Sequence, residues 1–175
     1  MLFPTVTFAI FFMVVLPASW ALMRHGAAWR PFIIAASFVF YAGWDWRFCF
    51  LLAFSILWNQ VFALAIHRAR APRSRKRLLL AALAGNLGLL GYFKYYGFFV
   101  ASTNNLLAQL GVDLPLEVRS IVLPVGISFF TFMAISYVVD VYRGDIAPTR
   151  LSTFAAYLSF FPHLVAGPIV RPGEL

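Results

Sequence analysis

The chain has 175 residues, of which 62% are hydrophobic, 18% aromatic and 11% charged, and its mean hydropathy is +0.84. A soluble domain carries about 25% charged residues, and one this small cannot hide so much apolar surface in a core, so a soluble globule is excluded. Disorder is excluded as well, since it needs low hydrophobicity; what remains is a polypeptide whose solvent is lipid.

A membrane-spanning helix needs about 20 apolar residues. Residues 2–23 form the first such run, with Pro4 at its start and Pro17 near its end. Ser19-Trp20-Ala21 looks like a signal cleavage site, but no Lys or Arg precedes the run. A signal peptide needs that leading positive charge, so the segment is expected to be a retained helix. The second run, 31–46, is short and ends at Trp44-Asp45-Trp46-Arg47, where tryptophans mark headgroup depth. Residues 48–66 and 78–100 are the third and fourth runs, and Lys94 can snorkel from the latter. Residues 101–120 are the most polar stretch, with Leu106, Leu107 and Leu110 at helical spacing. They predict a surface loop containing a short amphipathic helix in the interface. Residues 121–142 and 151–170 are the fifth and sixth runs, the last interrupted by Pro162, Gly167 and Pro168. The expected fold is all-α: about six hydrophobic helices in one multi-pass bundle over 1–175, the last broken or re-entrant.

Fourteen Lys and Arg stand against six Asp and Glu, a net charge of +8. On a soluble domain this would suggest nucleic acid; here position matters more, and no nucleic-acid partner is expected. Six of the fourteen are Arg68, Arg70, Arg73, Arg75, Lys76 and Arg77. They read either as a cytoplasmic loop obeying the positive-inside rule or as a patch for acidic lipid, nucleotide or coenzyme. With that loop in the cytoplasm, ten of the fourteen cations fall inside and four outside, and the N-terminus lies outside.

Polar groups in lipid are costly, and each needs a partner or a task. Ser55 and Asn59 share a helix face, and with Gln60 they predict hydrogen bonding between helices. Gly85, Gly88 and Gly91 predict close helix packing, with Asn86 bonding across the contact. Asp140 and Arg143, three residues apart, can form an ion pair, serving either to end the helix or to contact substrate. His163 follows Pro162 inside an apolar run. Backbone broken by proline at membrane depth must be covered by protein or water, so His163 reads as an ordering imidazole or as a general base beside a cavity. His25 and His67 flank basic loops, and the three histidines are too scattered for a metal site. Cys49 is the sole cysteine, so no internal disulfide forms. There is no phosphate-binding glycine loop and no nucleophile elbow.

Several stretches together resemble a known family: Phe40-Tyr41-Ala42-Gly43-Trp44, Gly91-Tyr92-Phe93-Lys94-Tyr95, the run from Leu123 to Phe132, the run from Ile135 to Gly144, and the run from Phe160 to Arg171. The chain from about Phe32 onward is similar to the membrane-bound O-acyltransferases. The resemblance is to the bacterial branch that includes the alginate O-acetylases and the D-alanyl transferases of teichoic acid. The resemblance implies a plasma-membrane (inner-membrane) enzyme. Its acyl donor would be cytoplasmic acetyl-CoA or another thioester, with no further bound cofactor. The acceptor would be an extracytoplasmic polysaccharide or a partner acetyltransferase. The family's catalytic histidine is expected beyond residue 175, so the chain reads as an N-terminal portion without a catalytic residue of its own. Pro162, His163, Gly167, Pro168, Arg171, Asp140 and Arg143 are the expected substrate-path residues. His163 stands where the family carries Gln or His, which argues against an essential role. The alternatives are a transporter or channel subunit, or a structural partner that recruits an extracytoplasmic enzyme through 101–120.

Overall fold

The computed structural model describes residues 6–109 and 122–162. Every regular element among them is a helix: α1 (Val6–Met23), α2 (Gly26–Ala42), α3 (Arg47–Arg68), α4 (Pro72–Gln109), α5 (Ile127–Arg143) and α6 (Leu151–Ser159). Of these, α1, α3 and α4 are long and apolar enough to cross a membrane by length and composition.

The helices alternate in direction. The α3 start is set by Asp45, whose Oδ1 accepts the Arg47 N–H at 2.9 Å, satisfying one of the free donors at a helix start. At the other end of α3 only three residues intervene before α4 begins at Pro72, where proline's missing N–H costs nothing. α5 starts after Pro124 and Gly126 rather than at 121: the residue before proline avoids helical backbone, and Gly126 takes a φ of 74°. It stops at Gly144, φ 85°, whose N–H reaches the Val141 carbonyl at 3.2 Å while the Asp145 N–H reaches the Asp140 carbonyl at 3.0 Å. This left-handed cap satisfies the last carbonyls.

One expectation is corrected here. Residues 101–109 are not a loop; they continue α4 without interruption. No proline or glycine occurs between Phe98 and Gln109 to stop it, and Thr103 folds its hydroxyl back onto the Phe99 carbonyl at 2.8 Å. At 1.5 Å per residue its 38 residues extend about 57 Å, well beyond a hydrocarbon core of about 30 Å. Residues 110–120, the rest of the expected loop, lie outside the described residues.

The sixth segment is broken, as expected. α6 ends after nine residues, and Phe160 leaves helical geometry at ψ 106°, two residues before Pro162.

Two cores hold the bundle. The larger joins α3, α4, α5 and α6 around Leu52, Ile66, Phe130, Tyr137, Val138 and Phe154, with the Tyr137 and Phe154 rings stacked at 4.2 Å. The smaller is aromatic: Phe11, Phe40 and Phe161 meet at 5.3 to 5.7 Å between ring centres, linking α1, α2 and the segment after α6. The Tyr41 hydroxyl donates to the Val125 carbonyl at 2.6 Å, tying the end of α2 to the turn before α5.

Candidate functional site

The polar residues inside the bundle form two connected groups. In the first, Asn59 on α3 and Asn86 on α4 exchange amide hydrogen bonds. Asn59 Nδ2 donates to Asn86 Oδ1 at 3.1 Å, and Asn86 Nδ2 donates to Asn59 Oδ1 at 2.7 Å. Each amide also donates to its own helix, to the Ser55 carbonyl and the Ala82 carbonyl, both at 2.8 Å. Both asparagines are buried, so the predicted bonding between helices is observed. Of the three glycines only Gly85 packs closely: a Cβ there would stand 2.6 Å from Trp58 Cζ2, while one at Gly88 or Gly91 would meet nothing within 4 Å. The expected triple glycine contact is thus corrected to a single one. The reason is angular: steps of three residues turn about 300° round a helix, so the three glycines drift off one face.

The second group closes a ring. Tyr137 Oη donates to Gln60 Oε1 at 3.1 Å, Gln60 Nε2 donates to the Thr149 carbonyl at 2.8 Å, and the Thr149 N–H donates to Tyr137 Oη at 3.1 Å. Each member gives one bond and takes one, an arrangement in which bonds reinforce each other. Gln60 lies eight residues before the end of α3, about 12 Å inward along the helix. The connection between α5 and α6 is therefore tied back against α3 and α5 at Thr149, just before α6 begins.

Asp140 and Arg143 do not form the pair their spacing allows. Among the described residues no ion pair joins them. Asp140 is half-buried, while Arg143, the last residue of α5, is exposed. A three-residue step separates the two by about 60° around the helix. Pro162 is half-buried, and the preceding Phe161 N–H is taken up by the buried Ser37 hydroxyl at 3.3 Å. His163, Gly167, Pro168 and Arg171 lie outside the described residues. The structure thus leaves Asp140 and Arg143 unpaired with each other.

Sequence reasoning did not single out Tyr137 or Thr149, and it named Arg75 only as one of six clustered cations. Arg75 Nη2 donates to the Tyr142 carbonyl at 2.6 Å, and its guanidinium lies 5.4 Å from the centre of the Tyr142 ring. A tyrosine in an apolar helix was the available signal, since a buried phenol seeks a partner. Two buried hydroxyls, Thr131 Oγ1 on α5 and Ser159 Oγ at the end of α6, have no hydrogen-bond partner among the described residues. Such groups cost about 1–3 kcal/mol each when left unpaired.

An apolar helical bundle with a buried polar junction and a broken sixth segment defines a polytopic membrane protein. Comparison with known proteins narrows this. The chain is 42% identical over 145 residues to the probable alginate O-acetylase AlgI of Pseudomonas putida, covering 82% of this chain and 30% of that protein. It is 44% identical over 145 residues to the AlgI protein of Azotobacter vinelandii, covering 82% and 29%. It is 34% identical over 172 residues to the peptidoglycan O-acetyltransferase of Helicobacter pylori, covering 83% and 32%. The chain spans less than a third of the length of these curated relatives. No family model matches it, and no solved structure does. The relatives bear out the resemblance to the alginate O-acetylase branch of the membrane-bound O-acyltransferases.

Proposed function

We propose that this chain is part of a membrane-bound O-acyltransferase that transfers acetyl groups to an extracytoplasmic polysaccharide of the alginate kind. One observation carries the proposal: identity of 42 to 44% over 82% of the chain to proteins named alginate O-acetylase. In the reaction, the acceptor hydroxyl oxygen bonds to the acyl carbon of a thioester and the carbon–sulfur bond breaks. The hydroxyl proton ends on the departing thiol by way of a base. The donor is acetyl-CoA or another acyl thioester on the cytoplasmic side, toward which the arginine-rich end faces. The acceptor is a polysaccharide or an acetyltransferase partner on the other side of the inner membrane. The base is the family histidine beyond residue 175, and His163 is not essential.

This chain's own contribution is to build part of the route. The Gln60–Tyr137–Thr149 ring fixes where α6 begins, and the break at Phe160 hands the Phe161 N–H to the Ser37 hydroxyl of α2. The peptidoglycan relative supports a second acceptor class, the sugar hydroxyls of the wall polymer.

Expression of the full-length gene in a cell lacking its own O-acetylase, followed by measurement of ester-linked acetate on alginate and on peptidoglycan, tests the proposal. Acetate on the polysaccharide supports it. Absent acetate at normal protein abundance, with solute flux in proteoliposomes, establishes a transporter instead. In the same assay His163→Gln retains most of the acetylation.

A further inference from the structure

The alternating helices bring the end of α3, the start of α4 and the end of α5 to one end of the bundle. Arg68, Arg70, Arg73, Lys76, Arg77 and Arg143 stand exposed there, and none of them is in an ion pair among the described residues. Only Asp140 and Asp145 supply carboxylates nearby on the described chain.

These cations are held in place. The connection between α3 and α4 is three residues long, and Arg75 fastens the start of α4 to the last turn of α5 through the Tyr142 carbonyl and ring. The arrangement is electrostatically unfavourable on its own. A helix N-terminus carries a positive dipole end, so cations in its first turns are repelled, and α4 has no acidic residue in its first turn to offset them. An anion bound over this surface relieves both repulsions.

The apolar surface directly beside the charges identifies the anion. Arg73 and Arg77 share a face of α4 with Leu80, Ala84 and Leu87, by the four- and three-residue spacing of one helical stripe. All five are exposed, with Leu80 at 55% and Leu87 at 49%. A ligand that complements this stripe has an anionic head at the level of Arg73 and Arg77 and hydrocarbon below it. A water-soluble phosphate would leave the leucines unused. We propose that this face of α4, with Arg73 and Arg77 above its exposed leucines, is a binding surface for anionic phospholipid headgroups. This stands on the membrane character of the bundle and is independent of the acyl-transfer reading.

The test uses the purified full-length protein in phosphatidylcholine vesicles, with trace spin-labelled phosphatidylglycerol or spin-labelled phosphatidylcholine. Electron paramagnetic resonance reads the fraction of each label immobilised at the protein. Phosphatidylglycerol is expected to be preferred by about fivefold or more, the value of one surface cation near anionic lipid. The preference falls in about 1 M salt, where charges are screened within about 3 Å, and in the Arg73→Gln/Lys76→Gln/Arg77→Gln variant. It persists in Arg73→Lys/Arg77→Lys. Equal immobilisation of the two lipids by the wild-type protein overturns the proposal, whatever the glutamine variant's folding yield. Displacement of labelled phosphatidylglycerol by micromolar coenzyme A overturns it too, by assigning the surface to a soluble thioester donor.

Discussion

α1 and α3 are both long apolar helices, yet the bundle treats them in opposite ways. α3 buries eight residues, among them Ser55, Asn59 and Gln60. α1 buries Val15 alone, and Met13, Val14 and Trp20 lie between 64% and 76% exposed. In water the more apolar face goes inside. In lipid apolarity no longer discriminates, because lipid tails are as apolar as leucine, and helices associate through polar bonds and close packing instead. α3 has an amide, a glutamine and small side chains on one face; among the described residues α1 has a single side-chain hydrogen bond, Ser19 Oγ accepting the Trp29 indole N–H at 2.9 Å.

Substitutions can break this contrast, and the largest effect is expected at the amide pair. Asn59→Leu leaves the Asn86 amide buried with part of its bonding lost, a cost of about 1–3 kcal/mol. Unfolding in increasing dodecyl sulfate should register it, and Asn59→Leu/Asn86→Leu should recover part of the loss. If the double variant is no better than either single one, the reciprocal pair is not what joins α3 to α4. Next comes Gly85→Leu, which forces a side chain into the Trp58 ring at a cost of about 1–3 kcal/mol, whereas Gly88→Leu, in open space, should change little. Equal effects of the two would refute the single glycine contact.

Tyr137→Phe removes two bonds of the ring at about 1 kcal/mol each. Faster amide hydrogen exchange at Thr149 is the specific sign, because its N–H loses its acceptor; unchanged exchange there would show that Gln60 alone holds the connection. A smaller loss, about 0.5–1 kcal/mol, is expected of Arg75→Gln from the lost stacking on Tyr142, read in the same unfolding assay. The smallest belongs to α1: Met13→Leu should lie within about 0.5 kcal/mol, as for ordinary surface positions. A large effect there would mean that α1 has a protein neighbour on its open face.

Much of this architecture was legible in the residues. Six apolar runs give six helices, and polar residues within lipid pointed correctly to Asn59 and Asn86 as contacts, because an amide there has few alternatives. The break in the sixth segment followed from Pro162. Helix ends were less legible: α4 runs past residue 100 because polarity alone does not stop a helix that lacks proline and glycine. The pairings that build the junction were not legible at all. Gln60, Tyr137 and Thr149 are joined across 77 and 89 residues of sequence, and no local spacing encodes such a meeting. Asp140 and Arg143 taught the converse, that permitted spacing does not oblige a pair when one partner is half-buried and the other is exposed.

The length of α4 has a mechanical consequence. Eighteen residues separate Arg77 from Tyr95, about 27 Å of helix, close to the thickness of a bilayer's oily interior. Guanidinium and phenol groups each favour a particular depth, so one rigid rod carries two waterlines. In a thicker or thinner membrane the rod must lean, and its Asn86 clasp on α3 would make the neighbouring helices lean with it.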